Sequence, residues 1–265
     1  MVDKDVCLQN ERFWDDEATS NSPWSQPVSS EVIANARQGD WGIYITKQKL
    51  SREWLPQNIK GKDILCLASA GGQQAPVLAA AGANVTVFDI SEQQLAKDQL
   101  VSQRDGLQLR TVQGNMTDLA AFGDASFDYI IHPISNLYVP DVNPVWSECY
   151  RVLRSGGELL SSFYNPILFV FERNKELEQK DLLKPVFKIP YSDLESLAPD
   201  AYQEKISTNQ PVCFGHSLTD LINGQCQVGF SLIGFYEDEH PSPRFLIEKY
   251  MPTMIATRAK KGANE

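Results

Sequence analysis

The sequence predicts an α/β protein built on a doubly wound, mostly parallel seven-stranded sheet with an antiparallel terminal strand. From Gly61 onward, short apolar runs alternate with segments that carry helix start and stop signals, which is the rhythm of βαβ units. Near the end of the chain, two strand-like runs at 230–237 and 252–260 flank a proline-rich loop with no room for a helix. They predict an antiparallel hairpin at one edge of the sheet. A hydrophobic fraction of 42% is enough for a packed core.

The predicted parallel strands are short, and the first of them is a continuous apolar run, as expected for a strand buried on both faces of a sheet. The first of them, residues 64–68, follows a Gly-Lys-Asp turn. The other four lie at 85–88, 107–112, 127–131 and 158–163.

The helices between these strands are marked by their ends. Pro76 falls in the first turn of a helix at 73–81, where its missing N–H costs little, and Gly82 ends that helix. Ser91, followed by Gln94, is a capping-box pattern that begins the next helix. Two further helices are predicted at 144–153, before a turn at 154–157, and at 217–224.

Two segments lack the βαβ rhythm. Residues 1–60 are polar, show no strand pattern and hold four of the five tryptophans, so we expect a helical N-terminal extension packed on the core, with one helix at 30–38. Residues 165–215 carry five prolines, and long irregular segments in compact domains are commonly lids or binding loops. The predicted units are therefore 1–60 and 61–265, the second with a lid insertion at 165–215.

Composition excludes several classes of function. The formal net charge of −10 disfavours a nucleic-acid backbone as partner, since such binding needs clustered Lys and Arg. The five cysteines and three histidines are scattered without a C-x-x-C pattern, so neither a disulfide framework nor a metal site is expected. The first five residues are polar and predict no signal peptide, and no apolar stretch approaches the ~20 residues of a membrane span. We expect a cytoplasmic protein with a small-molecule partner; no pattern specifies its oligomeric state.

A candidate ligand site follows the first predicted strand. Its turn has almost no side-chain bulk, so a ligand could approach the backbone closely; it comprises Ala68, Ser69, Ala70, Gly71 and Gly72. Asp89 ends the second strand, where a carboxylate can accept hydrogen bonds from a ribose diol. Together they indicate an adenosine-containing ligand, without distinguishing a nicotinamide dinucleotide from S-adenosylmethionine.

The order and spacing of five segments resemble one family. The segments are 64–72, 85–89, 113–116, 127–132 and 151–157. From Gly61 to the end, the sequence resembles the class I, seven-stranded S-adenosylmethionine-dependent methyltransferases, especially the methyltransferase type 11 group. The predicted terminal strand pair also matches, because that family has an antiparallel seventh strand.

The resemblance implies S-adenosylmethionine as cofactor and assigns it a set of contacts. Ala68 to Gly72 would face its methionine part, Asp89 would hold the ribose, and Ile90 would pack on the adenine. The remaining implied contacts are Asn115 and Met116 beside the adenine, His132 and Pro133 beside the sulfonium, and Trp41 and Tyr44 from the N-terminal extension, whose aromatic faces attract a cation.

The sequence departs from the family at four positions. The family usually has an acidic residue where Cys66 stands, Gly where Ala68 and Ala70 stand, and Asp where Asn115 stands. We expect alanine at 68 and 70 to exclude backbone conformations that are open only to glycine.

His132 is the first candidate for a general base, because it follows the fourth strand, and His216 is the second. In the interpretation that we prefer, Pro133 biases His132 towards an extended backbone whose carbonyl, rather than its ring, meets the cofactor. Two other functions stay open. A nicotinamide-dependent oxidoreductase would need G-x-G-x-x-G after the first strand, and a non-catalytic cofactor-binding sensor or scaffold would need no base at all. The sequence does not identify the methyl acceptor.

Overall fold

The computed structural model describes residues 2–20 and 22–262; Met1 and the last three residues of the predicted second unit lie outside them. The strands in chain order are β1 (Asp63–Leu67), β2 (Asn84–Asp89), β3 (Leu109–Gln113), β4 (Phe127–His132), β5 (Leu153–Tyr164), β6 (Tyr191–Ser192), β7 (Phe214–Gly215), β8 (Phe230–Asp238) and β9 (Met254–Lys261). The α-helices are α1 (Val2–Thr19), α2 (Ser30–Arg37), α3 (Gln74–Ala80), α4 (Glu92–Asp105), α5 (Asn143–Val152), α6 (Lys175–Gln179), α7 (Asp193–Ser196), α8 (Pro199–Ser207) and α9 (Gly224–Gln227).

The central sheet has seven strands in the order β3-β2-β1-β4-β5-β9-β8. Strands β1 to β5 pair in parallel, whereas β9 is antiparallel to both β5 and β8. The predicted fold class is therefore confirmed, including the antiparallel terminal strand, which is inserted between β5 and β8. The short strands β6 and β7 pair with each other outside this sheet.

The core lies on both faces of the sheet, because successive side chains of a strand point to opposite sides. On β1, Ile64 and Cys66 belong to one buried cluster, together with residues of α2, α3 and α4. Leu65 and Leu67 belong to the other cluster, together with residues of α5. This two-sided burial explains why the strand reads as a continuous apolar run.

The fifth strand begins earlier than its sequence predicts. The expected turn at 154–157 lies inside β5 as a bulge, since Phe127 pairs with Leu153 and Tyr129 pairs with Glu158. Gly156 supplies the left-handed backbone that this local turn requires, with φ of +76°. The predicted glycine turn is therefore present, but β5 pairs with β4 both before and after it.

The helix predicted at 217–224 is also longer. A π-helical turn at Thr219–Asn223 runs directly into α9, so Gly224 does not end the helix. Glycine is needed there for close packing, because a Cβ would lie 2.8 Å from Asn143 Oδ1 and 2.9 Å from Trp146 Cδ1. None of the helices within residues 2–20 and 22–262 is long and apolar enough to cross a lipid bilayer.

Candidate active site

A cavity of about 460 Å³ opens at the carboxyl ends of the parallel strands, where ligands bind in open α/β sheets. Its volume falls in the range of sites for small organic molecules. Its wall extends from Asp89, at the end of β2, to Tyr164, at the end of β5. The cavity therefore spans the centre of the sheet, across β1 and β4.

The turn after β1 forms one wall through Ala68, Ser69 and Ala70. Both alanines adopt left-handed backbone conformations, with φ of +47° and +62°. The expectation that alanine excludes such conformations is wrong. Each alanine keeps the glycine-like path at a cost of roughly 1–2 kcal/mol, which the packing around the turn offsets.

The two glycines of this turn face away from the cavity. Gly71 N donates to Gln94 Oε1 at 2.7 Å, and Gly72 N donates to Asp98 Oδ1 at 2.9 Å. Gly71 has no room for a Cβ against the backbone oxygen of Gln94. Neither glycine lines the cavity, so the structure does not bring these two predicted site residues to it. Both N–H groups donate to side chains of α4, so they are not available to the pyrophosphate of a dinucleotide.

Ser69 offers an unused hydrogen-bonding group on the cavity wall. The residue is only 3% exposed, and its Oγ lies beside the buried Cys66 thiol without making a hydrogen bond of standard geometry within the described residues. An unpaired buried hydroxyl costs free energy unless something satisfies it.

Asp89 lies on the wall beside Ile90, as the sequence predicts. Its Oδ1 accepts a 2.9 Å hydrogen bond from Ser91 N. Burial raises the pKa of Asp89 to about 6, and the nearby carboxylate of Asp15 adds to the rise. This carboxylate has the position and acceptor capacity that a ribose diol requires. Its pKa is set by burial, two backbone N–H groups and Asp15, and none of these is a cation.

The residues after β3 also reach the cavity. Asn115 and Met116 both line it. The Asn115 side chain is already engaged, because Nδ2 donates to Cys7 Sγ at 3.0 Å and Oδ1 accepts from Thr117 N at 3.0 Å. Asn115 therefore ties this wall to α1.

The roof of the cavity is α1, which sequence reasoning missed. Its inward side chains follow helical spacing along one face, and they include Cys7, Asn10, Trp14 and Glu17. Asp15 fixes the helix to the start of α4, accepting from Ser91 Oγ at 2.6 Å and Gln93 N at 3.2 Å. The 7-10-14-17 spacing was the available signal, but these residues are mixed in polarity and give no apolar stripe.

Of the two aromatic residues predicted to cover the cofactor, Tyr44 lines the cavity and Trp41 does not. Trp41 belongs to the core under α2, and its ring lies 3.8 Å from the Arg52 guanidinium carbon. Its aromatic face is therefore already paired with a cation, and the structure does not bring Trp41 to the cavity.

Residues 165–215, predicted to form a lid, contribute none of the residues that line the cavity. They pack on α1 instead, where Val6 joins Val212 and Phe214 in a buried cluster. Asn10 Nδ2 donates to the Val212 oxygen at 3.1 Å and, on its other side, to the Tyr138 oxygen at 3.0 Å. Residues 165–215 therefore pack against α1 without lining the cavity.

His132 is fully buried and does not line the cavity, although the next residue, Pro133, does. Its Nδ1 lies 2.9 Å from the Leu67 oxygen and its Nε2 lies 2.7 Å from Asn136 Oδ1. Burial lowers the pKa of His132, which favours a neutral ring that donates from Nδ1. A neutral ring that donates from Nδ1 accepts at Nε2, so the Asn136 amide is assigned with Nδ2, which has no partner within the described residues, turned towards Nε2.

This arrangement does not support the predicted base. A general base must reach the proton that it removes, and the His132 ring lies behind the wall. His216, the second candidate, is also buried and donates from Nε2 to the Asn136 oxygen at 2.9 Å. Both histidines hold the ends of β1 and β4 and the following turn together.

The end of the cavity at β5 contains side chains that sequence reasoning did not single out for the site. It is rich in aromatic rings and carries two cations; the set comprises Trp24, Lys47, Tyr164, Arg244 and Met254. They come from four separate parts of the chain, so no local pattern connects them. A search of the described ranges finds no group of three or more His, Cys, Asp or Glu side chains placed to hold a metal ion.

Comparison with known proteins agrees with this geometry. A family profile described as "Methyltransferase domain" matches residues 65–161. A Bacillus subtilis (strain 168) protein described as the uncharacterized methyltransferase YbaJ is 47% identical over 257 residues, covering 97% of this chain and 98% of its own.

Solved structures of low sequence identity share the fold. An S-adenosylmethionine-dependent methyltransferase from Mesorhizobium loti superposes with a TM-score of 0.59 at 17% identity, covering 79% of this chain and 95% of its own. The 1,6-didemethyltoxoflavin-N1-methyltransferase of Burkholderia thailandensis gives 0.58 at 15% identity, covering 98% and 89%. The full-length relative, the matched domain and the sheet order together show that this chain belongs to the class I S-adenosylmethionine-dependent methyltransferases.

Proposed function

We propose that this methyltransferase acts on a small organic molecule that is held, together with S-adenosylmethionine, in the cavity beneath α1. The observation that carries the proposal is the continuity of one cavity from Asp89 to Arg244. A cavity of this size suits small ligands, whereas a macromolecular acceptor would need an open surface.

In this proposal, the turn after β1 and the ends of β2 and β3 hold the cofactor. Ser69 Oγ is an unpaired buried group, and the Asp89 carboxylate accepts hydrogen bonds from a ribose diol. Ile90 and Met116 supply apolar contacts to a flat base. The residues present therefore fit an adenosine-containing ligand.

When bound, the cofactor supplies an electrophilic methyl group, and the protein supplies position and electrostatics. Roof residues of α1 exclude water from the cavity. None of the three histidines, all of which are described, lines it. Alignment of the acceptor, which is worth on the order of 7–11 kcal/mol in favourable cases, is then the main contribution of the chain.

The same proposal assigns the chain two parts and a compartment. Residues 1–60 provide the roof, and residues 61–265 provide the sheet and the cofactor wall. Free thiols at the buried Cys66 and Cys149 are consistent with a reducing compartment, so we place the protein in the cytoplasm. The net charge of −10 supports a partner other than nucleic acid.

Ligand binding and methyl transfer test this function separately. S-adenosylhomocysteine should raise the melting temperature, since it binds only the native state, and NADH should not. Radiolabelled S-adenosylmethionine should then label a metabolite filtrate from cells, and Asp89→Ala should weaken the labelling when the cofactor is below saturation. Label found only in protein or nucleic acid would overturn the small-molecule acceptor.

A further inference from the structure

The end of the cavity at β5 lies away from the cofactor wall. Tyr164 ends β5, Met254 begins β9, and Arg244 lies in the loop between β8 and β9. Strands β1 and β4 separate β5 from β2, where Asp89 lies. Three strand spacings of about 4.8 Å place these ends roughly 14 Å apart.

Arg244 presents unused donors to this end of the cavity. Its Nη2 donates to Tyr164 OH at 3.0 Å and lies 3.4 Å from Glu248 Oε1. Within the described residues, Nε and Nη1 make no hydrogen bond. Glu248 is largely occupied, because it also accepts from the backbone N–H groups of Arg244 and Phe245 and from the hydroxyl of Thr253. A half-buried guanidinium with two free donors fits a planar acceptor group.

Lys47 brings a second cation to the same place. Its Nζ lies 3.8 Å from the centre of the Trp24 ring, and the Arg244 guanidinium carbon lies 5.7 Å from the same centre. No carboxylate oxygen of residues 4–20 or 22–262 lies within 4 Å of Lys47 Nζ. Burial and the charge of Arg244 both lower the pKa of Lys47. Two cations beside one ring are stabilised when an anion lies between them.

Glu17 is the acidic side chain on the roof above this end of the cavity. Its carboxylate accepts a hydrogen bond from the Ser22 hydroxyl. Since that bond holds it to the start of the next turn, Glu17 leaves the donors of Arg244 and Lys47 free.

Resting on the proposed function, we infer that the methyl acceptor carries a carboxylate or a similar anionic group, which Arg244 and Lys47 bind beside Trp24. The body of the acceptor is flat and unsaturated, because aromatic rings dominate the surrounding wall. These rings are Trp14, Trp24, Tyr138 and Tyr164. The acceptor class is thus that of small aryl or conjugated acids.

A carboxylate could also come from the methionine part of the cofactor. The location of Arg244 and Tyr164, beyond β4, favours the acceptor, but Lys47 belongs to the N-terminal extension, and Gln73 of the turn donates to the Trp24 oxygen at 3.1 Å. The experiment must therefore separate the two sources. S-adenosylhomocysteine carries that carboxylate, whereas 5′-methylthioadenosine lacks it.

The test is calorimetry with five aryl carboxylates, including 2-naphthoate, each paired with its primary amide of the same shape. The titrations use protein saturated with S-adenosylhomocysteine, in the wild type and in Lys47→Met and Arg244→Gln. Lys188→Met removes an exposed cation outside the cavity and is the matched control. S-adenosylhomocysteine and 5′-methylthioadenosine are titrated against the same four proteins.

We expect at least one acid to bind more tightly than its amide, by roughly tenfold or more, and each cavity variant to remove that preference. Affinity for S-adenosylhomocysteine should stay unchanged in all four proteins, which also shows that the variants are folded. If no acid is preferred, or the preference survives both substitutions, the inference is wrong. If a cavity variant weakens S-adenosylhomocysteine but not 5′-methylthioadenosine, its cation binds the cofactor instead. Failure of S-adenosylhomocysteine to bind the wild type would instead contradict the proposed function.

Discussion

The Nδ1 atom of His132 lies 2.9 Å from the carbonyl oxygen of Leu67, so a side chain at the end of β4 holds the last residue of β1. Both residues are fully buried. These two strand ends flank the centre of the cavity. The histidine therefore holds the ends of β1 and β4 together from outside the cavity.

The first prediction concerns the buried contacts of His132. His132→Ala should lower the free energy of unfolding by about 2–3 kcal/mol, because it leaves the Leu67 oxygen and the Asn136 amide unpaired in the core. Urea unfolding measures this change, and His240→Ala, outside the cavity wall, is the control. A general base would behave differently: the substitution would spare stability and lower kcat by ~10²–10⁴.

The second prediction concerns pH. Burial lowers the pKa of His132, so the unfolded chain takes up a proton below about pH 6.5 that the folded ring resists. The stability that the neutral ring contributes is therefore complete above that pH and decreases as the pH falls. The difference in unfolding free energy between wild type and His132→Ala should shrink from pH 7.5 to pH 5.5. A constant difference would show that the ring is not held neutral; His216, whose pKa is also lowered, is present in both proteins.

The third prediction concerns Asp89, whose pKa is raised to about 6 by burial. Only the ionised carboxylate accepts two hydrogen bonds from a ribose, so affinity for S-adenosylhomocysteine should weaken as the pH falls below about 6. Asp89→Asn should bind about 1.5–3 kcal/mol more weakly at pH 7.5 and show no such dependence. Calorimetry of both proteins at several pH values measures this. Equal affinities of the wild type and Asp89→Asn for S-adenosylhomocysteine would show that Asp89 does not bind the ligand.

The fourth prediction compares two residues of one turn. Ala70 has a φ of +62°, so Ala70→Gly should relieve strain and stabilise the protein by up to about 1 kcal/mol, after the added entropy of the unfolded chain. Gly72 has a φ of +74°, and a Cβ there would lie 3.0 Å from Pro27 Cα. Gly72→Ala should therefore destabilise. Opposite shifts of the urea midpoint confirm the conformations, and shifts of the same sign would contradict them.

The sheet could be predicted from the sequence because its strands are buried on both faces. A residue such as Leu65 must be apolar wherever the surrounding helices lie. The cofactor wall could also be predicted, since Asp89 ends β2, Asn115 lies two residues after β3, and the ends of parallel strands meet at one edge of the sheet.

Other features depended on contacts that no local pattern encodes. Helix α1 escaped prediction because residues such as Asn10 and Glu17 face a cavity rather than a core. The direction of the His132 ring is decided by the Leu67 oxygen, 65 residues away. Ser91 was predicted to cap α4, and it does, but Gln94 donates to Ser25 Oγ and accepts from Gly71 rather than returning to the cap.

Ser91 has one more role. Its backbone N–H donates to Asp89, and its hydroxyl donates to Asp15 of α1. Ser91 therefore orients the Asp89 carboxylate and also holds α1 in place. Ligand binding at Asp89 is thus coupled, through one short turn, to the position of α1 over the cavity. Exchange of the α1 amide hydrogens with solvent should slow when S-adenosylhomocysteine binds, although that helix lies outside the sheet.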